Sequence, residues 1–98
     1  MADTIMKNKT TNKVELPKMY KVILLNDHYT TMDFVIEILM SIFNKNQAEA
    51  IAIMMNVHKQ GKGVAGIYTF DIAQTKIKIV KDMAREAGYP LQLTMEVE

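Results

Sequence analysis

The segment 91–97, Leu-Gln-Leu-Thr-Met-Glu-Val, alternates strictly between apolar and polar residues. A period of two is typical of a β-strand with one buried and one solvated face. Such a strand needs partner strands beside it and a second layer over its apolar side, so the rest of the chain has to supply both. We expect helices to cover the apolar side, which consists of Leu91, Leu93, Met95 and Val97.

Two further strands and three helices follow from the same kind of pattern. A nearly continuous apolar run predicts a strand over 19–25, and a shorter run predicts another over 64–69. Apolar residues spaced by three and four positions predict helices over 30–43, over 46–60 and from about 69–71 to 87.

Capping residues mark the helix boundaries. Thr30 precedes Asp33 by three positions, which resembles a capping box at the start of the first helix. Asn46 and Glu49 form the same pattern at the start of the second helix. Gly61 fits the left-handed position that follows the end of that helix.

The order of elements is therefore β-α-α-β-α-β. We predict an α+β two-layer sandwich, in which a three-stranded antiparallel sheet packs on three helices. Residues 1–18 are rich in Lys, Asn and Thr, lack periodicity and end near Pro17. We expect a flexible N-terminal arm over 1–18 and one domain over 19–98.

Composition excludes several classes of function. The chain has 98 residues, the size of one domain, and no run that approaches 18 consecutive apolar residues. It has no cysteine, which excludes thiol catalysis and disulfides and fits a cytoplasmic setting. Twelve basic and eleven acidic residues give a net charge of +1, which does not suggest capture of nucleic acid.

Few residues are available for reactive chemistry. Asp27, His28 and His58 could be placed around a metal ion, but His58 is 30 residues from His28 and no ligand-spacing motif connects them. Ser41 is the one serine and lies within a predicted helix, which disfavours a serine nucleophile. The segment 61–63 is too short for a phosphate-binding loop. These residues alone leave Asn26–Asp27 as an ordinary turn after a strand.

Several segments carry a family resemblance. The segment 20–35, Tyr-Lys-Val-Ile-Leu-Leu-Asn-Asp-His-Tyr-Thr-Thr-Met-Asp-Phe-Val, resembles the opening signature of the ClpS family, the adaptors of the ClpAP protease. The segment 54–63 resembles the second-helix-and-loop motif of that family, and shorter matches follow in order at 66–69, 75–76 and 89–91. Together they span the predicted domain.

The resemblance implies a function. ClpS proteins are adaptors without enzymatic activity or cofactor. They bind N-degrons, which are substrates whose first residue is Leu, Phe, Tyr or Trp, and they deliver these substrates to the AAA+ unfoldase ClpA. We therefore expect substrate proteins and the N-terminal domain of ClpA as partners, with no nucleic acid and no membrane, and a monomer as the default state.

The resemblance also implies roles for individual residues. The α-amino group of the substrate is expected to be held by Asn26, Asp27 and His58. Its side chain is expected in a hydrophobic pocket lined by Thr30, Met32, Val35, Met54, Val57 and Leu91. Met32 corresponds to the gate of the pocket, which would crowd side chains branched at Cβ. Asp71 and Lys76 match positions that dock on the unfoldase.

Two positions depart from the family pattern. His28 stands where many members have a second acid, which predicts a weaker attraction for the amine. Thr31 stands where they have a proline, which predicts the loss of a pre-organised first helical position.

Two other functions remain open from the sequence. One is a plain protein-interaction domain, related in fold to the C-terminal domain of the ribosomal stalk protein, that ignores amino termini. The other is a small metal-dependent hydrolase. Binding of a peptide with a free amino terminus, compared with its acetylated form, separates the adaptor from the first of these.

Overall fold

A computed structural model of the chain describes residues 15–98. Six elements follow one another: β1 (Met19–Leu25), α1 (Met32–Ser41), α2 (Gln47–Gln60), β2 (Lys62–Thr69), α3 (Phe70–Ala87) and β3 (Gln92–Val97). The predicted α+β order, β-α-α-β-α-β, is confirmed.

The predicted arm falls largely outside the described residues. Within it only residues 15–18 are described, and these are exposed and have no regular secondary structure. The boundary between an arm and a domain at residues 18 and 19 stays a prediction.

Strand β1 lies in the middle of the sheet. The strand order is β2-β1-β3, and both neighbours are antiparallel to β1. Leu25, the last residue of β1, pairs with Lys62 on one side and with Gln92 on the other. The centre of the sheet therefore ends next to the start of β2 and the start of β3, and the loop to α1 leaves from that point.

The core lies between one face of the sheet and the three helices. Val22 and Leu24 are fully buried because β1 has a strand on each side and helices over its inner face. The largest fully buried side chains are Phe43, Leu24, Ile38, Leu39, Val22 and Val80. They come from β1, from α1 and α3, and, in the case of Phe43, from the segment between α1 and α2, so the layers share one core.

The burial of side chains decreases toward the C-terminal end of β3. Leu91 and Leu93 are buried, Met95 is half-buried, and Val97 is 54% exposed. The expectation that helices cover all four residues is wrong for Val97. This residue pairs with Tyr20 at the end of the sheet, where the helical layer no longer covers the strand.

Two boundaries of the β-strands differ from the prediction. Strand β2 begins at Lys62 rather than at residue 64, because the antiparallel pairing with Leu25 already starts there. Strand β3 begins at Gln92 rather than at Leu91. The differences are two residues and one residue respectively.

The cap of α1 is one residue later than predicted. The N-cap is Thr31, whose hydroxyl accepts a hydrogen bond from the Phe34 amide at 3.1 Å. The predicted capping box of Thr30 and Asp33 is therefore wrong, because the Thr30 hydroxyl donates to Asp27 instead. Thr31 thus lies just outside the helix and caps it. It is not the first helical residue, contrary to what the family resemblance implied.

Both predicted ends of α2 are confirmed. The Asn46 side-chain oxygen accepts from the backbone N–H of Glu49 at 2.8 Å, and the Glu49 carboxylate accepts from the backbone N–H of Asn46 at 2.9 Å. Gly61 follows the helix with φ of 90°, a left-handed conformation that a side chain disfavours. This sharp end turns the chain directly into β2.

Across residues 15–98, none of the helices combines the length and the apolar character that crossing a membrane would require.

Gly63 allows β2 to lie close to α2. A methyl group at this position would lie 2.9 Å from a Val57 methyl carbon and 3.2 Å from the carbonyl oxygen of Ile53. We expect Gly63→Ala to lower the free energy of unfolding by about 1–3 kcal/mol, because helix backbone cannot move aside easily. Denaturant unfolding measures this change. Val64→Thr, at the exposed neighbouring position, is the matched control and should change stability by less than about 0.5 kcal/mol. Equal stability of the Gly63 variant and the native protein would contradict the close packing.

Candidate functional site

A cavity of about 470 Å³ lies where the loop after β1 meets α1 and α2. Of the nine residues predicted to bind an amine or to form a hydrophobic pocket, eight line it: Asn26, Asp27, His58, Thr30, Met32, Val35, Met54 and Val57. The structure therefore brings together residues that are up to 32 positions apart in the sequence.

The apolar wall of the cavity comes from two helices. Val35 on α1 and Met54 and Val57 on α2 are all buried. Met32, in the first turn of α1, is 46% exposed and so lies at the edge of the cavity. The wall is fixed by the core, whereas the unbranched Met32 side chain can change rotamer with little hindrance.

The polar side of the cavity is a loop held at both ends. The backbone N–H of Asn26 donates to the Gly61 carbonyl at 2.9 Å, which ties the loop to the end of α2. Next to it, Asp27 Oδ1 accepts from the amides of Tyr29 at 2.7 Å and Thr30 at 2.6 Å, and Asp27 Oδ2 accepts from the Thr30 hydroxyl at 2.8 Å. Aspartate commonly closes turns through such bonds to the amides that follow it.

These hydrogen bonds keep Asp27 ionised. Partial burial raises the pKa of the Asp27 carboxyl group. The bonds from the Thr30 amide, the Tyr29 amide and the Thr30 hydroxyl, with the positive charge of His28, more than offset this effect. The pKa of Asp27 therefore lies below the ordinary value of 3.8, and at neutral pH the cavity carries a fixed negative charge.

His58 closes the polar side from α2. It lies in the last turn of that helix and is exposed, as is Asn26 on the loop. A carboxylate, an amide oxygen and an imidazole nitrogen are all hydrogen-bond acceptors. Around one apolar hollow they suit a cation that is attached directly to an apolar group. Within residues 15–98 no group of three or more His, Asp or Glu side chains is placed to hold a metal ion.

Leu91 is the predicted pocket residue that does not line the cavity. It is buried in the shared core, and its part in a pocket stays a prediction. Conversely, the lining includes Tyr29 and Thr31, for which the sequence predicted no part in binding, and His28, which was predicted only to weaken the attraction for the amine. Their position between Asn26 and Met32, in the same short loop, was the signal available for finding them.

Another cavity, of about 510 Å³, lies between α1 and the end of α3. Its wall includes the carboxylates of Asp33, Glu37 and Glu86. It shares Thr31 with the first cavity but contains none of the predicted amine-binding residues. The first cavity is therefore the candidate site.

The two residues predicted to dock on an unfoldase have different surroundings. Asp71 lies exposed in the first turn of α3. Lys76 is half-buried, donates to the Ile42 carbonyl at 2.6 Å and lies 5.3 Å from the centre of the Tyr68 ring. Burial also raises the pKa of Tyr68. Lys76 thus joins α3 to the end of α1, while Asp71 is available to solvent.

Comparison with known proteins shows which protein family this chain resembles. A family model described as "ATP-dependent Clp protease adaptor protein ClpS" matches residues 15–94. A protein of Acetivibrio thermocellus named ATP-dependent Clp protease adapter protein ClpS is 57% identical over 95 residues, which is 97% of this chain and 96% of that protein. A protein of Clostridium acetobutylicum with the same name is 61% identical over 87 residues, 89% of this chain and 86% of its own length.

A solved structure is also similar. It is Agrobacterium tumefaciens ClpS2 bound to L-phenylalaninamide, with a TM-score of 0.81 and 42% sequence identity. The match covers 85% of this chain and all of that chain.

The hydroxyl of Thr30 contributes to the low pKa of Asp27, and Thr30→Val removes it while keeping the branched shape. We expect the pKa of Asp27 to rise toward 3.8, and the free energy of unfolding to fall by about 0.5–1.5 kcal/mol. Nuclear magnetic resonance titration of the side-chain carboxyl measures the pKa, and Thr94→Val, at an exposed threonine of β3, is the control.

The direction in which the stability of the fold changes with pH follows from the lowered pKa of Asp27. Because the folded-state pKa is lowered, ionised Asp27 stabilises the fold above the unfolded-state value near 3.8, and this contribution is lost as the pH falls through the folded-state pKa. An Asp27 titration that is identical in Thr30→Val and the native protein would show that the hydroxyl does not act on this carboxylate.

Lys76 and Lys78 form a matched pair for testing the link between α3 and α1. Lys76→Met keeps the length of the side chain but removes the bond to Ile42, so we expect a loss of about 1.5–3 kcal/mol in the free energy of unfolding. Lys78 makes a surface ion pair with Asp82, in which both side chains are largely exposed, so Lys78→Met should cost less than about 1 kcal/mol. Thermal or denaturant unfolding of both variants measures the difference, and equal losses would contradict a special role for Lys76.

Proposed function

The chain belongs to the ClpS family of Clp protease adaptor proteins, and from that premise we propose that it binds the amino termini of substrate proteins in the cavity beside α2. The observation that carries the proposal is the convergence of Asn26, Asp27 and His58 with an apolar wall on one cavity. The bound substrate is then delivered to a partner unfoldase for degradation.

The polar side of the cavity suits a free α-amino group. Asp27 supplies the negative charge, and its Oδ2, which accepts only the Thr30 hydroxyl within the turn, keeps a lone pair for a further donor. Asn26 and a neutral nitrogen of His58 accept the remaining hydrogen bonds of the ammonium group. Each hydrogen bond to a charged group contributes about 1.5–3 kcal/mol.

The apolar wall suits the first side chain. A hollow of about 470 Å³ is large enough for a leucine or an aromatic side chain beside its backbone. Burial of such a side chain contributes about 1.5–3 kcal/mol. The L-phenylalaninamide bound to Agrobacterium tumefaciens ClpS2 has the same two parts, a free α-amino group and a large apolar side chain, which supports the assignment.

We infer selectivity for Leu, Phe, Tyr and Trp at the first position. Met32 lies at the edge of the cavity, where a flexible unbranched chain can close over a side chain that is slender near its backbone. A side chain branched at Cβ, such as Ile or Val, adds bulk at the level of Met32 and is disfavoured. Leu91 supports this wall from the core.

Delivery requires a partner. We propose that the N-terminal domain of the AAA+ unfoldase ClpA binds the start of α3, where Asp71 is exposed. Lys76 contributes there by fixing α3 to α1, because its ammonium group is already engaged by Ile42. The arm over 1–18 assists the transfer, and the protein acts as a cytoplasmic, monomeric adaptor without catalysis or cofactor of its own.

The proposal predicts that binding depends on a free amino terminus. A peptide that begins with Leu should bind with roughly micromolar affinity, and acetylation of its amino group should weaken binding at least about tenfold, because it removes the charge that faces Asp27. Fluorescence anisotropy with labelled peptides measures both affinities. Peptides that begin with Phe should bind similarly, and those that begin with Ile should bind more weakly.

Variants of two neighbouring acids provide the control. Asp27→Asn keeps an oxygen for the turn but removes the charge, so it should weaken Leu-peptide binding about tenfold. Asp33→Ala removes an exposed carboxylate that lines the other cavity and should have little effect. Equal binding of free and acetylated peptides would favour a plain interaction domain instead.

A further inference from the structure

We propose that His28 and Tyr29 contact the second residue of the substrate, and that His28 allows this protein to accept substrates whose second residue is acidic. The proposal rests on the proposed function, because it takes the first residue to occupy the cavity beside α2. It assigns a role to two lining residues that the amine-binding set and the apolar wall leave unused.

The loop presents both rings outward. The bonds from the amides of Tyr29 and Thr30 to Asp27 Oδ1 close the backbone into a turn. His28 lies within that turn and is exposed, and Tyr29 is 77% exposed. The aromatic pairs formed by residues 15–98 do not include Tyr29. A large and mostly exposed aromatic side chain thus lies at the cavity.

The path of the substrate brings its second residue next to His28 and Tyr29. Consecutive Cα atoms are about 3.8 Å apart, both in the substrate and between Asp27 and His28. If the α-amino group is next to Asp27, the second residue lies within about one residue length of it. The inner wall of Val35, Met54 and Val57 is buried, so the chain leaves through the mouth. His28 and Tyr29 line that mouth together with Met32.

The electrostatics of the cavity allow an acidic second residue. Among residues 15–98, Asp27 is the one carboxylate that lines the cavity, and once it pairs with the substrate amine its charge is compensated. His28 lies close enough to Asp27 for its charge to lower the pKa of that group, so it also lies within electrostatic reach of a carboxylate on the second residue. A neutral imidazole still offers one N–H donor to such a carboxylate. His58 faces the same space with a second imidazole.

The test compares peptides that differ only at the second position. We would measure peptides beginning Leu-Glu, Leu-Gln and Leu-Lys, each with a free amino terminus, by fluorescence anisotropy at neutral pH and low ionic strength. In the native protein, Leu-Glu and Leu-Lys should bind within about threefold of each other. In His28→Asp the ratio should shift about three- to tenfold in favour of Leu-Lys, because a carboxylate then faces the second residue.

Two further measurements separate a local contact from a general effect. Gln47→Glu adds the same negative charge at the start of α2, about 16 Å along the helix axis from His58, and should leave the ratio unchanged. Tyr29→Ala should weaken the Leu-Gln peptide more than it weakens leucinamide, which has no second residue. An unchanged ratio in His28→Asp, or an equal shift in Gln47→Glu, would overturn the role of His28.

The outcomes also distinguish this inference from the function on which it rests. If none of the free peptides binds better than its acetylated form, both are wrong. If the free peptides bind well but His28→Asp does not change the ratio, the amino-terminal recognition stands and the second-residue contact is wrong. If the ratio shifts and Tyr29→Ala weakens the peptide and leucinamide equally, His28 contacts the second residue and Tyr29 does not.

Discussion

The carboxylate of Asp27 is the group on which the candidate site depends. Three hydrogen bonds, one from Tyr29 and two from Thr30, hold the loop in one conformation, and the same bonds keep the carboxylate ionised by lowering its pKa. Fixing the loop and charging the cavity are therefore one interaction. A charge that is held in place before a ligand arrives loses little entropy on binding, so more of the electrostatic attraction remains as affinity.

The fold supplies what this loop needs on either side. The loop begins at the end of β1, which is the central strand and the best supported part of the sheet, and its first amide bonds to Gly61 at the end of α2. The left-handed conformation of Gly61 ends the helix at this point, so His58 in its last turn faces the loop across the cavity. Close packing at Gly63 then keeps β2, and with it the sheet, against the same helix. The distance between the two sides of the cavity is thus set by backbone contacts rather than by mobile side chains.

The sequence predicts structure well where the pattern lies in adjacent residues. It predicts structure less well where tertiary contacts decide which of two neighbouring residues takes a role. Alternation and helical stripes are properties of a few adjacent residues, so all six elements and their order were found. Thr30 and Thr31 are equally good caps by composition, and the choice of Thr31 depends on the turn in which Asp27 binds Thr30. The exposure of Val97 depends on where the helical layer ends, which no strand pattern contains. The family resemblance identified Lys76 as a position of interest, but its bond to Ile42, 34 residues away, is visible only in three dimensions.

The proposed function would distinguish the start of a chain from the rest of it, because it requires two features of the ligand together. An apolar side chain contributes about 1.5–3 kcal/mol, and each hydrogen bond from a charged amine contributes a similar amount. The side chain alone does not offset the cost of association, which is at least about 4 kcal/mol, and three bonds to the amine at the lower end of their range, about 4.5 kcal/mol, exceed that cost only slightly. An internal leucine offers the side chain with an amide in place of the amine, and it leaves Asp27 without a cationic partner. An amine at the end of a lysine side chain offers the charge without an apolar group at the same carbon. Only a chain that begins with a large apolar residue offers both at the spacing of Asp27 and the wall of Val35, Met54 and Val57.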